Sequence, residues 1–190
     1  MKKLVISAIV AMLCTLVIAV IPTEAEGRIY SDTVRLHVIA NSDRDGDQSL
    51  KLAVRDRILA EFSGALASCG SAAEAEETLR SRLPDIRECA GEVIRERGYE
   101  YPVVVTLSEE KYGRRDYGGF SLPAGKYMSL RIMIGEAAGK NWWCVMFPPL
   151  CTTLAEGDAT DGYTDEELRL IGGRYRIKFK LLELAAECFS

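Results

Sequence analysis

The stretch "TVRLHVIANSD", Thr33 to Asp43, decides how this chain is built. Val34, Leu36, Val38 and Ala40 fall on one side; Arg35, His37, Ile39 and Asn41 fall on the other. A period of two predicts a strand, with Arg35 and His37 on its polar face. "NSDRDGD", Asn41 to Asp47, is turn chemistry. A helix is expected from about Asp47 to Ala67, because Leu50, Val54, Ile58, Phe62 and Leu66 recur every four residues, with Leu59 beside them. Asp47, or Asp45 with Gln48 three later, is placed to cap it.

Further along, Ser71 and Glu74 form a capping box that starts a second helix. Leu79, Leu83, Ile86, Ala90, Val93 and Ile94 give it an apolar face, Pro84 should kink or split it, and Gly98 suits its C-cap. "YEYPVVVTLS" alternates as a strand, with Tyr101, Val103, Val105 and Leu107 on one face. "YMSLRIMIG" and "NWWCVMF" are two more strand-like runs, and the "GEAAGKN" between them reads as an antiparallel hairpin connection. A capping box at Thr164 and Glu167 opens the last segment, and a terminal helix is expected from about Lys178. The fold class is therefore α+β: a small, mostly antiparallel sheet packed with two long N-terminal helices and a C-terminal helix.

The N-terminus is of a different kind. Met1-Lys2-Lys3 is basic, Leu4 to Ile21 carries no charge, and Thr23-Glu24-Ala25 offers small residues to a peptidase. Residues 1–25 read as a secretory signal, or else as an uncleaved membrane anchor, because the apolar run is just long enough to span a bilayer. Residues 26–33 read as a polar linker and 34–190 as a single domain. Both readings place the domain outside the cytoplasm. A net charge of −4 over 190 residues gives no basis for general nucleic-acid binding.

Candidate chemistry is sparse. The chain has one histidine, His37, and no nucleophile elbow around a serine. Asn41, Asp43, Asp45 and Gly46 match the opening of a calcium loop, but Leu52 stands where a bidentate glutamate is required. A turn and helix cap is the better reading, and no metal, cofactor or small-molecule substrate is expected. Export leaves Cys69, Cys89, Cys144, Cys151 and Cys188. Cys144 and Cys151 enclose a Pro-Pro loop; they are either a disulfide or two buried thiols. Both tryptophans lie in "NWWCVMFPPLC", Asn141 to Cys151, a strand that is apolar on both faces. One face suits the core; the other must be covered by a helix, the terminal segment or a partner.

Four blocks carry a family resemblance: "RLHVIANSDRDGDQSLKLAVRD" (35–56), "YGGFSLPAGKY" (117–127), "NWWCVMFPPLC" (141–151) and, more weakly, "IKFKLLEL". In these the chain resembles stage II sporulation protein R, a secreted signalling family of endospore-forming bacteria. The resemblance implies export from the forespore into the space between the two membranes. There the family protein triggers a membrane-embedded, aspartic-type protease of the mother-cell membrane, which processes a sigma-factor precursor. It implies a non-enzymatic role; the competing expectation is an exported cell-wall or peptide hydrolase. The candidate partner contacts are Asn41, Ser42 and Asp43, whose side chains exceed what a turn needs. Beside them stand Arg35 and His37, together with Trp142 as the less buried tryptophan. For the turn, the alternative is local geometry alone.

Overall fold

The computed structural model describes residues 24–116 and 121–148, with 3, 6, 7, 9, 10 and 12–14 near the N-terminus. The expected terminal helix, the Thr164–Glu167 capping box and Cys151 lie outside the described residues. These residues fall into two compact units. The larger holds residues 30–110 and 126–148. The smaller holds the residues before 30 and 111–125, including a short antiparallel pair of β3 (Arg115–Asp116) with β4 (Ser121–Leu122).

Helix α1 (Glu24–Ser31) precedes strand β1 (Val34–Ile39), so most of the stretch read as a linker is helical. Three helices follow: α2 (Asp45–Ala67), α3 (Ala72–Ser81) and α4 (Leu83–Glu96). The expected second helix is therefore two, divided at Arg82, with Pro84 in the first turn of α4 where its missing N–H costs nothing. Ser71 caps α3 by accepting from Glu74 N at 3.2 Å, while the Glu74 carboxylate accepts from Gly70 N at 2.8 Å. Helix α4 ends in a Schellman motif: Tyr99 N donates to Ile94 O and Gly98 N to Arg95 O, with Gly98 at φ +78°.

The sheet has the order β2-β5-β1-β6, with β2 (Val103–Tyr112), β5 (Gly125–Ile134) and β6 (Asn141–Phe147). Strand β1 pairs parallel with β5 and antiparallel with β6. Gly135 N donates to Pro102 O at 2.8 Å, tying the end of β5 to the start of β2 as antiparallel pairing requires. The expected β5–β6 hairpin is thus corrected, because β1 lies between the two strands and 135–140 is a crossover rather than a hairpin turn. The physical reason is burial. Every residue of β1 is buried, on both faces, and a strand with no exposed face belongs inside the sheet.

On the helix-facing side, Val34, Leu36 and Val38 of β1 join Leu130 and Ile132 of β5, Cys144 and Met146 of β6, and Val103 of β2. Leu50, Val54 and Ile58 of α2 and Ile86, Ala90 and Val93 of α4 complete this core. Each such aliphatic side chain contributes about 1.5–3 kcal/mol by leaving water.

Gly98 has open space where a side chain would project, so only its backbone conformation resists substitution. Gly98→Ala is expected to destabilise the protein by about 1–2 kcal/mol, read as a lower midpoint in urea with an unchanged slope.

Candidate partner-binding surface

The expected contact residues separate into two groups on opposite sides of the sheet. Asn41, Ser42 and Asp43 gather at the corner where β1 ends, α2 begins and residues 135–140 pass. Their side chains are engaged in hydrogen bonds within the corner, although Asp43 is exposed and Asn41 and Ser42 are only partly buried. Asn41 Nδ2 donates to Asp47 Oδ2 at 2.9 Å, and Asn41 Oδ1 accepts from Glu136 N at 2.9 Å. Ser42 Oγ also donates to Asp47 Oδ2, and Ser42 O accepts from Gln48 Nε2 at 2.8 Å. Asp43 Oδ1 accepts from Lys140 N at 2.7 Å. Lys51, nearly buried, donates to Gln48 Oε1 at 2.7 Å and to Lys140 O at 3.0 Å.

Asp47 is the centre of this corner. It is 3 % exposed and lies in the first turn of α2, whose N-cap Arg44 makes no side-chain cap. The expected capping role for Asp47 is therefore replaced by another: its carboxylate accepts from the turn. The hydrogen bond from Ser42 holds it below the usual carboxylate range; burial opposes this, and Asn41 and Tyr101 add to it. Close packing also fixes Gly135, at φ +58°, where a Cβ would collide with the Asn41 side chain.

Arg35 and His37 occupy the other face of β1, and that face is covered. Arg35 is fully buried with its guanidinium 5.0 Å over the Tyr127 ring. His37 is 2 % exposed and stacks on Trp143 at 3.6 Å between centroids. His37 Nδ1 lies 2.9 Å from a Glu110 oxygen, and Glu110 reaches it across β5, past Arg131 at 3.9 Å. Burial pushes the His37 imidazole below its ordinary 6.5, against the pull of Glu110 and Asn141.

Trp142 is different: it is 37 % exposed, and the Arg55 guanidinium sits 4.2 Å over its ring. It stands one residue from Asn141 and two from Lys140, so the polar corner and the exposed tryptophan share one end of the sheet. Cys144 is disulfide-bonded, and its partner lies outside the described residues. The sequence names Tyr101 and Trp143 only as strand residues, and neither they nor Glu110 are expected there as site residues. Each meets its partner across strands or from another element, so its role follows from strand order rather than from local pattern.

Asn41→Ala leaves the Glu136 amide without its acceptor, removes one of the donors to the Asp47 carboxylate, and is expected to destabilise by about 1–3 kcal/mol, read as a lowered Tm. For His37, the unfolded chain binds a proton below about pH 6.5 that the folded chain resists. Stability is therefore expected to fall as pH drops from there toward the lower folded value. His37→Gln, referred to its own stability at neutral pH, is expected to lose that slope in chemical-denaturation curves taken across the window.

Comparison with known proteins places this architecture. The family model of stage II sporulation protein R (spore_II_R) matches residues 30–156. The stage II sporulation protein R of Bacillus subtilis (strain 168) is 36 % identical over 140 residues, which cover 73 % of this chain and 62 % of that relative. The chain thus spans less than two thirds of the length of the curated relative it matches. No solved structure matches. The match takes in the central strand, the Asp47 corner and the tryptophan strand together, and the chain belongs to the stage II sporulation protein R family.

Proposed function

We propose that this sporulation protein acts as an exported trigger. It is made in the forespore, crosses into the space between the two membranes and binds a membrane-embedded, aspartic-type protease, which then processes a mother-cell sigma-factor precursor. The observation that carries this reading is family membership over residues 30–156. The basic start and the uncharged run from Leu4 to Ile21 support export. Among the described residues no helix is long and apolar enough to cross a membrane.

The role is binding rather than catalysis. The single histidine is buried between Trp143 and Glu110, set in the sheet as a packed group. Activation requires the trigger to bind the active form of the protease better than the inactive form. Moving a receptor from mostly off to mostly on takes about 5.5 kcal/mol of such preference. Trp142, held by Arg55, is a rigid and half-exposed aromatic of the type that anchors interfaces.

The experiment is co-expression of the protein, the membrane protease and the sigma-factor precursor in a bacterium that does not sporulate, with precursor length followed on gels. Cleavage is expected only when this protein is present. Trp142→Ala is expected to reduce it by about ten-fold or more at limiting protein while lowering stability by only about 1 kcal/mol. Absence of cleavage with all three proteins correctly exported or inserted would remove the reading.

A further inference from the structure

Helix α4 and the start of β2 enclose an open groove of about 780 Å³. Its walls include Leu83 and Pro84 at one end, Tyr99 and Tyr101 at the other, and Val103 and Val105 along the strand. The tyrosine rings stack at 5.2 Å between centroids, so that end is pre-formed. Among the described residues β2 has β5 as its only strand neighbour and closes the sheet on this side. Because Pro102 O accepts from Gly135 N of the β5 end, strand alternation directs the backbone groups of Val103 and Val105 to the outer edge, above the groove. Val104, half exposed, stands on the same edge strand.

The helix wall has a feature that packing does not explain. Gly91 lies in the middle of α4, where glycine weakens a helix relative to alanine. A Cβ there would meet only Arg95 Nη1, the far end of a flexible side chain, at 3.3 Å and Val103 Cγ1 at 3.9 Å. A side chain is therefore tolerable if the Arg95 tip shifts, and the lack of one leaves this part of the groove open. Arg87 and Arg95 stand one turn before and after it, and the Arg95 guanidinium lies over Gly91. Glu88 and Glu100 also line the groove, so its charge is mixed. The group placed over Gly91 is nonetheless a cation, with no hydrogen bond or ion pair to any described residue.

We propose that this groove and the β2 edge bind an extended, carboxylate-bearing segment of a partner polypeptide, added as a further strand along β2. Main-chain hydrogen bonds to Val103 and Val105 would hold it, alternate apolar side chains would enter the groove, and a carboxylate would meet Arg95. The site stands on its own geometry and does not depend on which receptor the protein activates.

A phage-displayed library of random dodecapeptides, panned on the full-length protein, supplies the probe. Enriched peptides are expected to alternate apolar residues with Asp or Glu and to protect the Val103 and Val105 amides from exchange. Their affinity, by fluorescence anisotropy, is expected to fall about ten-fold or more in Gly91→Phe, which fills the groove, and by about five-fold or more in Arg95→Ala. Gly91→Ala, as a folding control, is expected to raise Tm. Arg95→Glu provides the same reading should Gly91→Phe fail to fold. Absence of enrichment over an unrelated protein would overturn the proposal. So would peptides that bind the variants as tightly as the wild type, or a concentration-dependent dimer through this edge that Gly91→Phe abolishes. If peptides bind as expected while co-expression gives no precursor cleavage, the groove survives and the trigger reading fails.

Discussion

The buried carboxylate of Asp47 is the constraint on which the rest of the larger unit depends. A carboxylate out of water is costly unless donors surround it, and here the donors come from Asn41, Ser42 and Tyr101. Two lie in the turn that leaves β1, and the third lies just before β2. The carboxylate itself sits in the first turn of α2. One group thus ties the end of β1, the start of α2 and the approach to β2. Through Asn41 Oδ1 and Asp43 Oδ1 the same corner holds the backbone of Glu136 and Lys140, and so fixes where β6 begins.

That placement bears on the proposed contact surface, because β6 carries both tryptophans. Trp143 is drawn onto His37 and becomes part of the covered face, while Trp142 is turned toward α2 and stays accessible beneath Arg55. The polar corner thus positions the strand that presents Trp142, while Asp43 itself stays exposed beside it. Among the described residues, the two features proposed as contact surfaces lie apart. One is the Trp142–Arg55 pair beside β6; the other is the groove beside β2, at the opposite edge of the sheet order.

Local signals in the sequence carried the elements well. The four-residue spacing from Leu50 to Leu66 placed α2, Pro84 divided the next helix, and Gly98 closed it. Strand order was not legible. Residues 135–140 look like a hairpin connection, and nothing in those residues announces that β1 will insert between β5 and β6. That insertion is what buries Arg35 and His37, which alternation alone assigns to a polar face. It also brings Glu110 to His37 across an intervening strand. The Asn41-Ser42-Asp43 turn was recognisable as rich in hydrogen-bonding groups. Where those groups point depends on a crossover nearly a hundred residues later, which no local pattern encodes.

The most direct measurement is amide hydrogen exchange at Glu136 and Lys140 in the native protein, resolved by NMR. Both amides lie in an exposed connection and donate to side chains of the corner, so exchange much slower than for an unstructured chain is expected at both. Protection at Glu136 should vanish in Asn41→Ala, and protection at Lys140 in Asp43→Ala. Exchange at unstructured rates in the wild-type protein would contradict the hydrogen-bonded corner and leave Asn41 and Asp43 as free contact groups.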